Sequence, residues 1–519
     1  MKVRQVVSGV ASGYLTKAIQ FVAALAVVPF LLRSSVLGLA GYGTAFTLVA
    51  FSNFIGLLTD GPRKSFTRSI SQAIGEHPAA AGCTPGAALR AGTRILFWLC
   101  SIAVLILLAF ESPLLALMGL AKTPDAVAAY RLAVGLFWAE NSFFLFRVPL
   151  LARGALPFVN YCTAFEVIGR SATFFLYFER FPASLTSYLL ITVLFVVIRN
   201  LAFLGYLVAR WPSDVMQRAS APPSLVRASL LYSGPISVVS MVTTLVNRLP
   251  ILLAHSFLGA TESGLIALVV NTIRSYVVQI LFSVLDPIAV PIASRVNIGT
   301  LSAEARRLLS ELEAVYVLAI GLVIGTGIAV MPQLVTLWLG PQYLSIVRPT
   351  QFLLLGCSCE IAFSIRLSLV VGQGHLAKSV PLVLVAGVVG VSGVVLGAAW
   401  LHDWVAMVIG VAVFPMVSEL FGTSVVFERA FRGTIARRFS GLRMASFLLA
   451  AELAGGLISA ITVSLPQSLG LMLLSILITL TLAHVILIPM PTALHTLRTL
   501  RRSLDRSVFG AAAVDLRVG

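Results

Sequence analysis

Residues 28–43 read VPFLLRSSVLGLAGYG, and residues 249–264 read LPILLAHSFLGATESG. A proline, a Leu-Gly pair and a further glycine recur in the two stretches at the same spacing. They are Pro29, Leu37, Gly38 and Gly43 in the first stretch, and Pro250, Leu258, Gly259 and Gly264 in the second. Each stretch joins the end of one apolar segment to the start of the next. The repeat therefore predicts a chain built from two related halves.

The composition around this repeat is that of a membrane protein. The 519 residues are 58% hydrophobic and 11% charged, with a mean hydropathy of +0.98. Soluble domains carry about 25% charged residues, so a water-soluble fold is excluded. The net charge of +17 is assigned to cytoplasmic loops, which collect Lys and Arg, and not to binding of nucleic acid.

Apolar stretches long enough to cross a bilayer, about 20 residues each, predict about 14 transmembrane helices. With the N-terminus in the cytoplasm, most basic residues outside these stretches fall on the cytoplasmic side, so both termini are predicted to be cytoplasmic. The basic N-terminus leads to an apolar segment without a cleavage site, which predicts a first transmembrane helix and no signal peptide. The predicted fold is an all-α polytopic membrane protein.

The repeat and the helix count divide the chain into lobes. An even number of helices in each half makes the repeats parallel, and such halves typically enclose a central cavity. The predicted parts are a six-helix lobe (1–209), a cytoplasmic linker (210–229), a second six-helix lobe (230–427), two extra transmembrane helices (428–490) and a basic cytoplasmic tail (491–519). The tail alternates leucines with arginines, which predicts contact with anionic membrane lipids.

Ionisable residues inside the predicted spans are the candidate functional groups. Each costs about 2.5–3.5 kcal/mol at a helix centre, so each should face a cavity or pair with another charge. The basic ones are Lys17, Arg147, Arg170, Arg199, Arg248, Arg274 and Arg366, and the acidic ones are Glu140, Glu166, Glu360 and Glu419. Asp60 and Asp286 lie near predicted helix ends.

Two pairs share a helix face by their spacing. Glu166 and Arg170 are four residues apart, and Glu140 and Arg147 are seven apart on a predicted helix over 126–149. We predict Arg147 and Arg170 as substrate-binding residues, and Glu140 and Glu166 as ion-coupling residues. Simple neutralisation without any transport role remains the alternative for all of them.

Lys17, Arg248 and Arg274 have no acid within one turn of their own helix. Unpaired cations near the interface between the lobes suit a diphosphate, because arginine donates two parallel hydrogen bonds to phosphate oxygens. Arg248 ranks first, since a helix broken at Pro250 would expose backbone donors. Pairing with an acid from another helix remains the alternative.

Glu360 is a third candidate ion-coupling residue, with a structural hydrogen bond as the alternative. Cys357 and Cys359 are predicted to be small buried hydrophobic residues and not metal ligands. No phosphate-binding loop, catalytic constellation or metal-ligand cluster is present in the sequence, so we predict no enzyme activity, no cofactor and no metal.

The first stretch, extended to VVPFLL over 27–32 and LLTDG over 57–61, resembles the first hairpin of Wzx-type polysaccharide flippases. These proteins belong to the multidrug/oligosaccharidyl-lipid/polysaccharide (MOP) exporter superfamily. Residues 247–264 resemble the seventh helix of the same family. The sequence departs from the family pattern by a Pro-Arg-Lys run after Gly61, and by Asn247-Arg248 where an acidic residue is frequent.

The resemblance implies two six-helix lobes that open alternately to the two sides of a bacterial inner membrane. It also implies movement of an undecaprenyl-diphosphate-linked oligosaccharide to the outer leaflet, with polysaccharide polymerase and chain-length machinery as further partners. Two alternatives remain, a multidrug or cation antiporter, which needs an acidic cavity, and a peptidoglycan-precursor flippase. A glycan polymerase is disfavoured because no outer loop is long enough to hold two glycans.

Overall fold

The computed structural model describes most of the helical chain. The described residues are 3–74, 84–120, 122–216, 222–282, 303–372, 376–430, 441–460, 465–488, 492–494 and 496. Nearly all of the predicted basic tail (491–519), together with Asp286, lies outside them. Within these ranges the secondary structure is entirely helical.

Twelve helices lie in the described residues of the amino-terminal part of the chain. They are α1 (Val3–Leu31), α2 (Gly38–Ile55), α3 (Leu57–Ile74), α4 (Pro85–Ala109), α5 (Glu111–Leu117), α6 (Pro124–Ser142), α7 (Arg147–Ala152), α8 (Leu156–Phe178), α9 (Leu185–Arg210), α10 (Pro212–Met216), α11 (Pro223–Phe257) and α12 (Ala260–Ile266). A 3-10 turn (Phe144–Phe146) joins α6 to α7, and a π-helical segment (Ala267–Arg274) continues α12.

The remaining helices complete the chain. They are α13 (Ser275–Phe282), α14 (Ala303–Ala329), α15 (Met331–Trp338), α16 (Val347–Ala362), α17 (Ser364–Gly372), α18 (Leu376–Leu396), α19 (Trp404–Val417), α20 (Ser424–Ala430), α21 (Gly441–Ser459) and α22 (Leu465–Leu482). A 3-10 helix (Pro341–Ile346) precedes α16, and π-helical segments follow α18, α19 and α22 (Gly397–Leu401, Ser418–Thr423 and Ala483–Leu487).

The chain forms two compact units. The first unit contains Met1–Thr272 and Val391–Gly410, and the second contains Ile273–Gly390 and Val411–Gly519. The two units are defined by contacts between residues. The predicted division into lobes at 209 and 230 stays a prediction.

Ten helices within the described ranges are long and apolar enough to cross a membrane. The number rises to eleven if the pair Pro341–Ala362 and Ser364–Val370, bent by 42°, forms one span. The all-α polytopic membrane fold is therefore confirmed, while the predicted number of 14 spans is not. The apolar stretch over 264–290, one of the predicted spans, is helical as far as Phe282 and contains the π-helical segment, and residues 283–290 lie outside the described residues.

Residues 60–92 contain no apolar stretch long enough to cross a bilayer and are therefore predicted to be a cytoplasmic loop, which is partly wrong. A bend at Gly56 separates α2 from α3, and the chain stays helical to Ile74, so that Arg63 and Lys64 lie in a helix. Phe66 and Ile70 of α3 are fully buried in a core with residues of α4 and α9. The pattern is amphipathic, and its polar residues, which suggested a loop, form one side of this helix.

The repeated glycines occupy positions at which the backbone requires glycine. Gly38 begins α2 and Gly259 precedes α12. Their φ angles are +66° and +116°, in the left-handed region that favours glycine. A Cβ atom on Gly43 would lie 2.1 Å from the Ala260 carbonyl oxygen and 2.6 Å from the Gly264 amide nitrogen. The related glycines of α2 and α12 thus pack directly on each other within the first unit.

Candidate functional site

The main group of charges in the first unit centres on Arg199 of α9. Its Nη1 lies 2.7 Å from Oε2 of Glu166 on α8, and its Nη2 lies 3.3 Å from Oε1 of Glu140 on α6. Glu166 also accepts from Arg170, whose Nη1 lies 3.4 Å from Oε1. The predicted contact between Glu166 and Arg170 is confirmed, and Arg199 joins three helices.

The helix predicted over 126–149 is broken, because α6 ends at Ser142 and a 3-10 turn precedes α7, which begins at Arg147. Glu140 remains close enough to Arg147 to interact with it electrostatically. Its salt bridge within the described residues is with Arg199. The guanidinium carbon of Arg147 lies 3.8 Å from the ring centroid of Phe144.

Arg63 of α3 reaches the same ring. Its guanidinium carbon lies 3.7 Å from the Phe144 centroid, and its Nη1 lies 3.3 Å from Asp60 and 2.9 Å from Oδ1 of Asn141. Each such cation–π contact contributes about 0.5–2 kcal/mol, depending on desolvation. One aromatic ring therefore attracts two guanidinium groups and offsets part of the repulsion between them.

We call this group the arginine cluster. Its members are Asp60, Arg63, Glu140, Arg147, Glu166, Arg170 and Arg199. It contains four guanidinium groups and three carboxylates, so it carries a net positive charge if all are ionised. In the part of the chain that the structure describes, no carboxylate lies within salt-bridge distance of Arg147.

The arginine cluster is partly accessible. The side chain of Glu140 is 45% exposed, that of Arg170 29% and that of Arg63 24%, while Glu166 is nearly closed off at 7%. A ligand can therefore reach the arginines, while Glu166 stays beneath them as their counter-ion.

The other predicted substrate-binding residues lie on other helices. Lys17 is half-buried on α1, which packs on α8 through a hydrogen bond from Thr16 to the Asn160 carbonyl. Arg248 lies on α11 and donates from Nη1 to Oδ1 of Asn271 in the π-helical segment.

The expectation of an unpaired Arg274 is wrong. Its Nη2 lies 2.6 Å from Oε2 of Glu360 on α16, and the side chain is largely buried. The alternative, an acid supplied by another helix, is the one observed. Glu360 is thereby also bound as a counter-ion, and its predicted ion-coupling role stays a prediction, as do those of Glu140 and Glu166.

Arg366 of α17 is a buried structural arginine. Its Nε lies 2.5 Å from Oε1 of Glu313 on α14, its Nη1 donates to Ser424 at 2.9 Å, and its side chain is 2% exposed. The pair crosses from α14 to α17 in the second unit and leaves little room for a ligand.

Glu452 of α21 is a buried acid that the sequence analysis did not single out. The residue is 4% exposed, and neither carboxylate oxygen has a hydrogen-bond partner within the described residues. Glu419 is similar at one oxygen, Oε2. An isolated acid inside the predicted span 444–464, with no basic residue within a turn, was the signal that could have identified Glu452.

The predictions for the cysteines and for a metal site concern α16 and the described residues as a whole. Cys357 and Cys359 of α16 are buried free cysteines, as predicted. Within the described ranges, no group of three or more His, Cys, Asp and Glu side chains is arranged to hold a metal ion.

Of the comparisons with known proteins, only the one with solved structures finds a match. No family model matches the chain, and no curated protein matches its sequence. The lipid II flippase MurJ in an inward closed conformation matches with a TM-score of 0.63 and 9% identity, over 93% of this chain and 98% of that one.

Two multidrug transporters match as well. An inward-facing multidrug resistance MATE family transporter of the MOP superfamily has a TM-score of 0.57 at 14% identity, over 80% of this chain and 99% of that one. A mutant of the Vibrio cholerae MATE transporter VcmN has a TM-score of 0.56 at 16% identity, over 83% and 97%. The chain therefore shares its multi-pass helical membrane fold with these solved MurJ and MATE structures.

Proposed function

We propose that this protein flips an undecaprenyl-diphosphate-linked oligosaccharide from the cytoplasmic to the outer leaflet of a bacterial inner membrane. The product would serve the synthesis of a surface polysaccharide such as O-antigen, capsule or exopolysaccharide. The observation that carries the proposal is the accessible arginine cluster, in which Arg147 contacts the Phe144 ring and forms no salt bridge within the described residues.

The chemistry of the cluster suits a diphosphate. Guanidinium groups donate paired hydrogen bonds to phosphate oxygens and keep their charge inside a low-dielectric protein. Arg63 and Arg147 present two such groups on one ring, and Arg170 adds a third at the edge. A diphosphate bound here would supply the negative charge that three carboxylates leave unbalanced.

The remaining predicted residues take secondary roles in this proposal. Arg248 and Lys17 would contact the diphosphate as it moves, and Arg274 would do so only after release from Glu360. The topology with both termini in the cytoplasm, contact of the tail with anionic lipids, and delivery to polymerase and chain-length machinery belong to the same proposal.

The resemblance to Wzx-type flippases and the fold shared with the lipid II flippase MurJ both support a lipid-linked diphosphate as the substrate. The peptidoglycan-precursor variant uses the same diphosphate chemistry and is the nearest alternative. The fold shared with MATE transporters supports the multidrug alternative. A cationic drug would be repelled by the net positive charge of the arginine cluster, and for this reason we rank that alternative lower.

Depletion of the protein in its own host, followed by mass spectrometry of the extracted lipids, tests the proposal. We expect one undecaprenyl-diphosphate-linked oligosaccharide to accumulate, which would also identify the sugar repeat. Accumulation of the peptidoglycan precursor would select the nearest alternative. An unchanged lipid-linked pool, with reduced efflux of cationic drugs, would overturn the proposal in favour of a multidrug transporter.

A further inference from the structure

The second unit contains a pocket that no residue of the arginine cluster lines. Its volume is about 380 Å³, and it lies between α14, α16 and α21. Its lining residues are Ile328, Arg348, Gln351, Phe352, Leu355, Glu452, Leu453, Gly456 and Leu457. The walls are thus mainly apolar. Leu453 and Leu457, which are 60% and 75% exposed, place the opening at the surface of the unit.

Glu452 lies deep in this pocket. Gln351 donates to the Ser459 hydroxyl at 2.9 Å, which aligns the beginning of α16 with the end of α21. Glu452 precedes Ser459 by seven residues, or about 10 Å along the helix axis. The Ser358 hydroxyl lies near the carboxylate, and in the described structure it donates to the Leu355 carbonyl at 2.8 Å.

The charged and titratable groups around Glu452 come mainly from α16. Cys357 and Cys359 interact electrostatically with Glu452, and Arg348 lines the pocket. Glu360 is paired with Arg274. Glu419, from the π-helical segment Ser418–Thr423, is a further acid near Cys359 and supplies no positive charge.

The other neighbouring helices add no cation at this level. On α14, Ile328 lines the pocket, and the titratable Glu311, Glu313 and Tyr316 lie at least nine residues from Gly325, which packs on Ala451. The sequence of α22 contains no ionisable residue. His484 lies five residues beyond Thr479, the residue of α22 that is close to Gly325.

A carboxylate in this position is costly if it is charged. Burial in apolar surroundings favours the neutral form, unless an opposite charge or several hydrogen bonds compensate. A metal cation would require several oxygen ligands, and the described residues offer no group of three candidate side chains. A proton requires no ligand other than the carboxylate, and Arg348 and Gln351 give the pocket a polar part beside its apolar walls.

We propose that Glu452 is a proton-binding site of this transporter, loaded and unloaded through the pocket between α14, α16 and α21. The coupling ion is accordingly a proton, and Glu452 is the residue that binds it. The assignment does not depend on the identity of the transported molecule, because it rests on the pocket and on a buried carboxylate that accepts no hydrogen bond within the described residues.

Labelling with dicyclohexylcarbodiimide tests this assignment directly. A protonated carboxyl group adds across one C=N bond of the reagent, its proton moving to nitrogen, and the acyl group then shifts to nitrogen to leave a stable N-acylurea. All atoms of the reagent are retained in the product, so the mass of the modified peptide increases by the mass of one reagent molecule. The reagent dissolves in lipid and reaches the pocket past Leu453 and Leu457.

We expect Glu452 to be labelled in membranes at pH 7, and labelling to decrease as the pH is raised. Glu313 is the matched control, because it is equally buried in the same unit but paired with Arg366 at 2.5 Å. Glu313 should stay unlabelled under the same conditions. Glu452→Gln should remove the label without changing the elution of the protein as a folded species in detergent.

Two results would overturn the assignment. Protection of Glu452 by sodium at constant ionic strength would show a metal-cation site. Absence of label at pH 5.5–7, together with a difference infrared spectrum in which Glu452→Gln removes no protonated-carboxyl band, would show a permanently ionised carboxylate. The infrared measurement needs no reagent, so limited access of the carbodiimide cannot by itself explain a negative result.

Discussion

Glu166 and Glu452 are buried to nearly the same extent, 6% and 4% exposed, in different units of the molecule. Glu166 lies between Arg199 and Arg170, which hold it as a charged counter-ion. Glu452 has no hydrogen-bond partner at either oxygen within the described residues. Burial alone therefore does not tell what an intramembrane acid does. Its partners decide whether it anchors a cluster of cations or exchanges a proton.

The Arg366–Glu313 ion pair extends the comparison to an acid whose partner is also buried. Removal of Arg366 is expected to have the largest effect on stability. Arg366→Met leaves Glu313 buried and unpaired, which should destabilise the protein by about 3–5 kcal/mol. The measurement is the thermal or denaturant stability of the purified protein in detergent.

The double variant Arg366→Met with Glu313→Gln is the control. It removes both charges together and should recover most of the lost stability, since no isolated charge remains buried. Equal stability of Arg366→Met and the unmodified protein would contradict the role of this pair.

Glu166→Gln removes the counter-ion of the arginine cluster. Arg199 keeps Glu140, but Arg170 loses the carboxylate bound to it, so we expect destabilisation by about 1–3 kcal/mol. Glu111→Gln is the matched control, because Glu111 pairs at 2.8 Å with Arg131, whose side chain is 63% exposed. An exposed pair contributes about 0–1 kcal/mol, so a larger loss for Glu111→Gln than for Glu166→Gln would reverse the prediction.

Phe144→Leu tests the aromatic support of the cluster. Loss of two partly exposed cation–π contacts, at about 0.5–1 kcal/mol each, should cost about 1–2 kcal/mol in total and leave the repulsion between Arg63 and Arg147 without this compensation. Phe110→Leu, at a site 57% exposed, provides the comparison. The same change in melting temperature for both variants would show that the ring does not stabilise the two guanidinium groups.

Glu452→Gln should have the smallest effect on stability, less than about 0.5 kcal/mol at neutral pH. The amide closely matches a protonated carboxyl group in size and carries no charge to desolvate. Melting temperatures of Glu452→Gln and Glu166→Gln at pH 7 test the comparison directly. A loss for Glu452→Gln as large as that for Glu166→Gln would mean that Glu452 is held as an ion.

Much of the fold could be predicted from the sequence. Its apolar composition indicated an all-α membrane fold, and the repeated glycines marked the related helices that pack at Gly43 and Gly264. The number of spans was less secure. Amphipathic α3 resembles a loop in composition, and apolar periodicity does not show that the helix changes from α to π geometry at Ala267.

The site was only partly predictable for a physical reason. Spacing along one helix identifies pairs such as Glu166 and Arg170, because residues four apart share a face. It gives no information on partners from other helices, and these decide the state of Arg199 and Arg274. Arg63 was assigned to a loop, so its place beside Arg147 was missed.

The most direct test of the proposed function is the amount of lipid-linked oligosaccharide in a host whose only copy of the protein carries Arg147→Gln. We predict that the undecaprenyl-diphosphate-linked intermediate accumulates at normal protein level, as it does on depletion. The same substitution at the exposed Arg131 should leave the lipid pool unchanged. A normal lipid pool and full glycan export with Arg147→Gln would contradict the account.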